Sequence, residues 1–510
     1  MQSLVDLRPA PPVPPAFNLT AHVLGRAAAD PDKIALAIVG LSGAERWSFG
    51  RLQSTVLGLA GALAATGLAP GDRVLMRLGN TVEFPLVYLA AIAAGLIPVP
   101  SSAQLTTPEI SRMAAEICPA LIVAGEGVAL PDPVPCRVIP EAALHDLATH
   151  PPLAPILGDP DRPAYIIYTS GTSGRPRGVV HAHRAIWARQ RMVAGWYGLT
   201  ASDRLLHAGA FNWTYTLGTG LMDPWTIGAT ALIPAAGVTP AELPLLLKRH
   251  DVTIFAAAPG VYRQMLRTTL PALPRLRHGL SAGEKMADVT RTAWETATGT
   301  AIHEAFGMSE CSTFLSGAPD HPAPHGSLGY PQPGRCIALL DDAATPVPRG
   351  APGVIAVAAD DPGLMLGYLD APEETRARFT ADGRWFLTGD LGRMAEDGAI
   401  AYLGRSDDMM NAGGFRVSPV EVETALTAHP QIDEAAAVEL TVKEGASVIA
   451  AFYTGTPVPE PELAAFAATR LARYKAPRLF IHVDSLPRGG NGKLNRRQIR
   501  ETYEADHDPA

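Results

Sequence analysis

From about Gly71 the apolar and polar positions alternate between two rhythms. "RVLMRL", "IPVPSS" and "ALIVAG" are short apolar runs, which predict strands, while "VEFPLVYLAAIAAG" and "EISRMAAEI" carry apolar residues at helical spacing. Strand and helix in alternation predict parallel sheets covered by helices. The same rhythm returns in "AELPLLLKRH", "VTIFAAA" and "PGVYRQML", extending the α/β region to about residue 300. A Gly/Pro-punctuated stretch follows, "GVIAVAADDPGLMLGYL" to "WFLTGDLGRMAEDGAIAYLG", and predicts short antiparallel strands with turns. After "GRSDDMMNAGG" the pattern changes again. "PVEVETALTAH", "EAAAVEL", "VIAAFYTG", "PELAAFAATRLARY" and "RLFIHVDSL" predict a small α+β unit. The runs Thr55 to Pro70 and Phe84 to Pro100 are very apolar, yet each falls short of a clean membrane span and contains Gly or Pro. Buried helices, and no membrane span, are expected.

A chain of 510 residues is too long for one core, and at ~150 residues per domain it predicts about three units. Lys plus Arg total 42 against 50 Asp plus Glu, a net charge of -8. That balance excludes a global basic field for nucleic acid or anionic lipid, so an anionic ligand must be met locally. Cys118, Cys136, Cys311 and Cys336 form no C-x-x-C pair and read as reduced thiols of a cytoplasmic protein. The start, "MQSLVDLRPAPPVPPAFN", lacks a basic segment followed by an apolar one and reads as an extended, proline-rich arm.

One stretch has the composition of an anion cradle: "YTSGTSGRPRG", Tyr168 to Gly178. It is not a Walker loop, because Pro176 stands where the phosphate-facing helix would have to begin and the following "VVHAH" reads as strand. The loop is therefore expected to join two strands, with backbone N–H groups, the hydroxyls of Thr169, Ser170, Thr172 and Ser173, and Arg177 as donors. Taken alone, the tract reads equally well as a surface loop. His181 and His183 could share a strand face, but no third ligand is apparent and no metal site is assigned to them.

With "YTSGTSGRPRG", "SAGEK", "FGMSE", "TGD", "GRSDD" and "NGK" in this order, the sequence resembles the adenylate-forming superfamily of acyl-CoA synthetases, peptide-synthetase adenylation domains and luciferases. The resemblance spans roughly residues 20 to 500 and is strongest to the benzoate-CoA ligase and medium-chain acyl-CoA ligase branch. It implies an α/β fold. A large N-terminal adenylation domain, residues 1–405, would hold parallel α/β sheets and a small β-rich subdomain, and a mobile α+β domain, residues 406–510, would carry the catalytic lysine. It also implies ATP, Mg²⁺ and coenzyme A, and a small carboxylic acid, aromatic or short to medium in chain length, as the partner to be activated.

The resemblance assigns residues as well. Thr169, Ser170, Gly171, Thr172, Ser173, Gly174 and Arg177 would grip the outgoing phosphates, with Arg177 where the family usually has Lys. Gly283, Glu284, Lys285, Glu304, Ala305, Phe306 and Gly307 would surround adenine, Phe306 by stacking. Ser309 would offer a hydroxyl to the α-phosphate and Glu310 would ligate Mg²⁺. Asp390 and Arg405 would hold the ribose, Asp407 would be the hinge, and Arg416 would meet phosphate. Gly413 and Gly414 would line the pantetheine path, and Lys493 would be the catalytic amine. Phe211, Trp213, Tyr215, Ala258 and Met308 are candidate walls of the acyl pocket. The sequence departs from the family at Arg177, at "GVIAV" where Gly-Glu is common, and at Asn411 where many members have Lys. Three readings stay open: a CoA ligase, an adenylation enzyme loading a carrier protein, and a non-catalytic nucleotide-binding homologue. The chain stops at Ala510, soon after "NGK", which favours free CoA as acceptor. Oligomeric state is left open.

Overall fold

The structure is a computed structural model that describes residues 1–9, 11–169, 176–406, 408–412, 415–443, 446–473, 475–488 and 494–506. The side chains of 411–412, 415–416, 441–443, 446–447 and 505–506 lie outside that description. Two compact units divide the chain. The larger comprises Asp6–Cys336 and Ala358–Arg384, and the smaller Met1–Val5, Ile337–Val357 and Trp385–Ala510.

The larger unit is built on a nine-stranded sheet. Its parallel centre runs Ile302–Met308, His278–Ala282, Ile254–Ala257, Arg204–His207, Thr230–Pro234 and Ile34–Val39. Antiparallel strands close both edges, Ser312–Ser316 with Tyr330–Pro331 at one and Ala44–Ser48 at the other. A four-stranded sheet, all parallel, is ordered Ile97–Pro100, Arg73–Arg77, Leu121–Ala124, Arg137–Pro140. The first three are the strands expected from "IPVPSS", "RVLMRL" and "ALIVAG"; Arg137–Pro140 is not among the strands predicted.

Helix Glu83–Ala93 is apolar on every face and buried from Phe84 to Ala93, as a core helix must be. It packs on helix Phe49–Ala65, where an added Cβ at Gly58 or Gly61 would lie 2.0 Å from the carbonyl oxygens of Ala148 and Pro151. Those glycines let two backbones touch. Helix Thr107–Ile117 starts in a capping box, with Glu109 accepting from the Thr106 N–H, and buries Ile110, Ala114 and Ile117 at helical spacing. Among the described residues no helix is long and apolar enough to cross a membrane.

In the smaller unit, a five-stranded sheet is ordered Leu4–Asp6, Cys336–Leu340, Pro352–Ala358, Trp385–Met394, Ile400–Arg405. Its two consecutive hairpins have the antiparallel, turn-punctuated character read from the sequence. The C-terminal residues form the expected α+β piece. Ile432–Lys443 pairs antiparallel with Ala446–Gly455, Leu479–His482 adds in parallel, and helices Pro419–Thr427 and Glu460–Ala468 bury Val422, Leu426, Leu463 and Ala467 in one core.

Candidate functional site

The strand preceding the glycine-rich loop, Pro163–Thr169, pairs antiparallel with the strand that follows it, Arg177–Ala182, in a register that sets Thr169 opposite Arg177. The loop thus joins two strands, as expected. Ser170, Gly171, Thr172, Ser173 and Gly174 lie outside the described residues. A third strand, Gly367–Tyr368, adds to Arg177–Ala182, with Tyr368 opposite Val179.

This small sheet touches the turn that follows Ile302–Met308. Nε2–H of His181 donates to the Ser309 carbonyl over 2.7 Å, and the Met365 N–H donates to the Glu310 carbonyl over 2.7 Å. The phenol of Tyr368 donates to Glu310 Oε1 over 2.7 Å. Burial, then the Glu310 charge, pushes that phenol well above its ordinary pKa, so the proton stays on tyrosine. Glu310 is only 8% exposed, and among the described residues no basic side chain comes within ion-pair distance of it. A buried carboxylate without a cationic partner is costly unless something supplies positive charge. His181 is thus held through Nε2, and His183 Nδ1 accepts from the Leu19 N–H at 3.0 Å.

The residues proposed around adenine gather at the ends of two neighbouring strands. Phe306 is half-buried and edge-on to Phe314 at 5.6 Å. Between Phe306 and Gly307 the register shifts, and a Cβ at Gly307 would meet the Ser312 carbonyl oxygen at 2.2 Å, so this bulge requires glycine. Ala305 is buried in the strand. The side chain of Glu304 is committed to the Met286 N–H and to Arg291, and its backbone carbonyl accepts from the Gly317 N–H over 3.3 Å. Gly283 has φ +100°, with Trp213 against it: an added Cβ would lie 2.8 Å from the indole. Glu284 and Lys285 follow, exposed.

Trp213 and Tyr215 come together edge-on at 5.1 Å, and Tyr215 donates to the Leu280 carbonyl over 3.2 Å. Met308 and Ala258 are half-buried at the ends of their strand and helix. Phe211 goes elsewhere. It packs on Phe84 at 5.4 Å in a separate core cluster, held by Asn80 accepting from its N–H. Behind Ser309 a small cavity is lined by Tyr88, Tyr165, His181, Arg189 and Ser312, and there Tyr88 Oη and His181 Nδ1 have no hydrogen-bond partner among the described residues.

In the smaller unit, the hairpin register sets Asp390 directly opposite Arg405, with their side chains 3.5 Å apart. Tyr402 donates to Asp390 over 3.3 Å, and the Asp390 N–H is held by Thr388 Oγ1. Arg416 pairs with Asn411 across a short hairpin, its side chain outside the description. Asp407, Gly413, Gly414 and Lys493 also lie outside the described residues. The sequence reading missed Tyr368, Tyr402 and the Ser309-clamping role of His181, because each depends on a partner distant in sequence. It also missed Arg496, which ion-pairs with Glu423 at 2.7 Å and Asp408 at 3.3 Å.

A parallel α/β sheet whose turn after Ile302–Met308 carries a buried carboxylate with no cationic partner among the described residues, next to a hairpin whose connection is rich in glycine and hydroxyl residues in sequence, has the makings of a nucleotide-handling α/β protein. The chain belongs to the family of AMP-binding enzymes: that family's model matches residues 24–369, and the model of the AMP-binding enzyme C-terminal domain matches 421–493. It is 31% identical over 518 residues to a 3-hydroxybenzoate–CoA ligase of Aromatoleum sp. (strain CIB), covering 96% of this chain and 98% of the relative. A benzoate–CoA ligase of Thauera aromatica is also 31% identical, over 96% of this chain and 97% of that protein. Among solved structures, ATP-bound MatB from Rhodopseudomonas palustris superimposes with a TM-score of 0.87 at 27% identity, over 96% of this chain and 99% of that one. A benzoate CoA ligase from Burkholderia xenovorans LB400 gives 0.84 at 29% identity, over 95% and 100%.

Proposed function

We propose that this protein is an ATP-dependent carboxylate–CoA ligase acting in the cytoplasm on an aromatic or short- to medium-chain acid. In the first half-reaction an oxygen of the acid attacks the α-phosphorus of ATP, the bond to pyrophosphate breaks, and acyl-AMP forms. In the second, the sulfur of CoA attacks the acyl carbon and the bond to AMP breaks, giving the thioester. The relatives named as CoA ligases support this reading. The observation that carries it is Glu310, a buried carboxylate that lacks a cationic partner among the described residues. A hard divalent cation with oxygen ligands fits that donor, and Mg²⁺ bound there would neutralise charge on the phosphates.

The chain's own residues divide the remaining work. Thr169 and Arg177, at the two ends of the loop, hold the outgoing phosphates, and Phe306 and the Gly283 turn take the adenine. The Asp390 carboxylate, steadied by Tyr402 and Arg405, accepts both ribose hydroxyls. Trp213, Tyr215, Ala258 and Met308 wall the acyl pocket. Lys493 brings its ammonium to the reacting carboxylate and α-phosphate, with Arg416 meeting phosphate, when the domain after residue 405 turns about Asp407. That domain, rotated, presents Gly413 and Gly414 to the pantetheine arm.

The test is pyrophosphate–ATP exchange over benzoate, cinnamate-type, cyclic and C3 to C10 acids, followed by CoA-dependent AMP release with the best acid and no carrier protein. Exchange with an acid and release with CoA are expected. Exchange without CoA-dependent release would favour carrier loading, and no exchange with any acid would favour a non-catalytic homologue.

A further inference from the structure

Tyr368 lies 58 residues from Glu310 in sequence, yet its phenol makes the one side-chain hydrogen bond to that carboxylate among the described residues. The tyrosine is itself stiffly held. Its N–H donates to Thr375 Oγ1 at 2.9 Å, the Leu369 N–H donates to the Gly178 carbonyl and the Leu366 N–H to the Val180 carbonyl, so it is stitched to the strand that begins at Arg177. The other side of the ring meets Arg177, whose guanidinium carbon lies 5.5 Å from the ring centroid while its Nη2 lies 3.8 Å from Glu374. One aromatic side chain therefore touches both the carboxylate and the cation proposed to handle the phosphates. Its hydroxyl bonds Oε1 of Glu310 and so restrains the rotation of that carboxylate.

We infer that Tyr368 is a positioning residue: its phenol orients Glu310 for the divalent cation, and its ring steadies Arg177 at the mouth of the phosphate loop. This rests on the reading of Glu310 as the cation's ligand. Groups that orient a ligand in this way contribute about 10- to 100-fold to metal affinity, and a guanidinium on an aromatic face gains a smaller, sequence-distant restraint. Tyr368→Phe separates the two contributions, since it removes the hydroxyl and keeps the ring.

The experiment titrates Mn²⁺ into the full-length protein with ATP and no acid, reading free Mn²⁺ by electron paramagnetic resonance. Tyr368→Phe should weaken Mn²⁺ binding about 10- to 100-fold with an unchanged thermal melt, and should leave ATP binding in EDTA as in the parent. In a Glu310→Gln background the same substitution should add nothing, because the carboxylate it orients is gone. Mn²⁺ affinity within about threefold of the parent, or an equal loss in both backgrounds, would overturn the positioning role. A parent protein that binds ATP but gives no Mn²⁺ site would overturn the assignment of Glu310, and this inference with it; one that binds no ATP would overturn the ligase reading.

Discussion

Five histidines of the larger unit, His181, His183, His207, His278 and His303, are no more than 6% exposed. Burial pulls all of them down from 6.5, His181, His278 and His303 to about 4 and His183 and His207 to about 3. An unfolded chain takes up protons at these rings as pH falls through about 6.5, whereas the folded unit does not until about 4, so acid favours the unfolded state. Between pH 7 and 5.5 each ring should cost about 1.2 kcal/mol of stability, and the five together about 6 kcal/mol. That is comparable with the whole stability of a typical domain, ~5–15 kcal/mol. The loss should begin near pH 6.5, steepen toward 5, and level off as the folded rings protonate between about 4 and 3. Urea titrations followed by tryptophan fluorescence at pH 7.5, 6.5 and 5.5 measure it directly. A single-site check is His207, whose ring nitrogens have no hydrogen-bond partner among the described residues. His207→Met should shrink the pH 7 to 5.5 loss by about 1.2 kcal/mol without changing the contribution of the others. A midpoint that does not move between pH 7.5 and 5.5, or a slope of fewer than about two protons, would refute the reasoning.

Further outcomes follow from the site. Lys493→Ala should cut acyl-AMP formation by at least ~10²–10³-fold, the scale of a lost charge-stabilising donor, while thioester formation from supplied acyl-AMP is spared; equal loss of both steps in rapid-quench assays would argue for a structural role. Gly307→Ala forces a Cβ to within 2.2 Å of the Ser312 carbonyl oxygen, so the turn carrying Ser309 and Glu310 must shift, and kcat for pyrophosphate exchange should fall well before the melting temperature does. Asp390→Asn leaves a neutral acceptor opposite Arg405 and should raise the KM for ATP about tenfold, the loss of a charged hydrogen bond, with a smaller effect for 2′-deoxy-ATP; equal effects on both nucleotides would remove Asp390 from the ribose.

The elements were legible because local pattern decides them. "RVLMRL" and "EFPLVYLAAIA" could hardly be anything but a buried strand and a buried helix, and the loop's two-strand setting followed from Pro176 and "VVHAH". The motifs that carry the family resemblance were legible one at a time, those holding the candidates Glu310 and Asp390 among them. Their partners were not, because Tyr368 reaches Glu310 and Tyr402 reaches Asp390 only through sheet pairings that no local period encodes. Phe211 shows the converse. Proximity in sequence grouped it with Trp213 and Tyr215, but the turn after Gly209 sends its ring to Phe84 instead.

The central claim, that the acid's own oxygen bonds to the α-phosphorus of ATP, is tested most directly with an acid labelled with ¹⁸O in its carboxylate, incubated with ATP, Mg²⁺ and CoA. Mass spectrometry of the products should find one ¹⁸O atom in AMP and none in pyrophosphate. Label in inorganic phosphate, or AMP free of label while thioester accumulates, would contradict it.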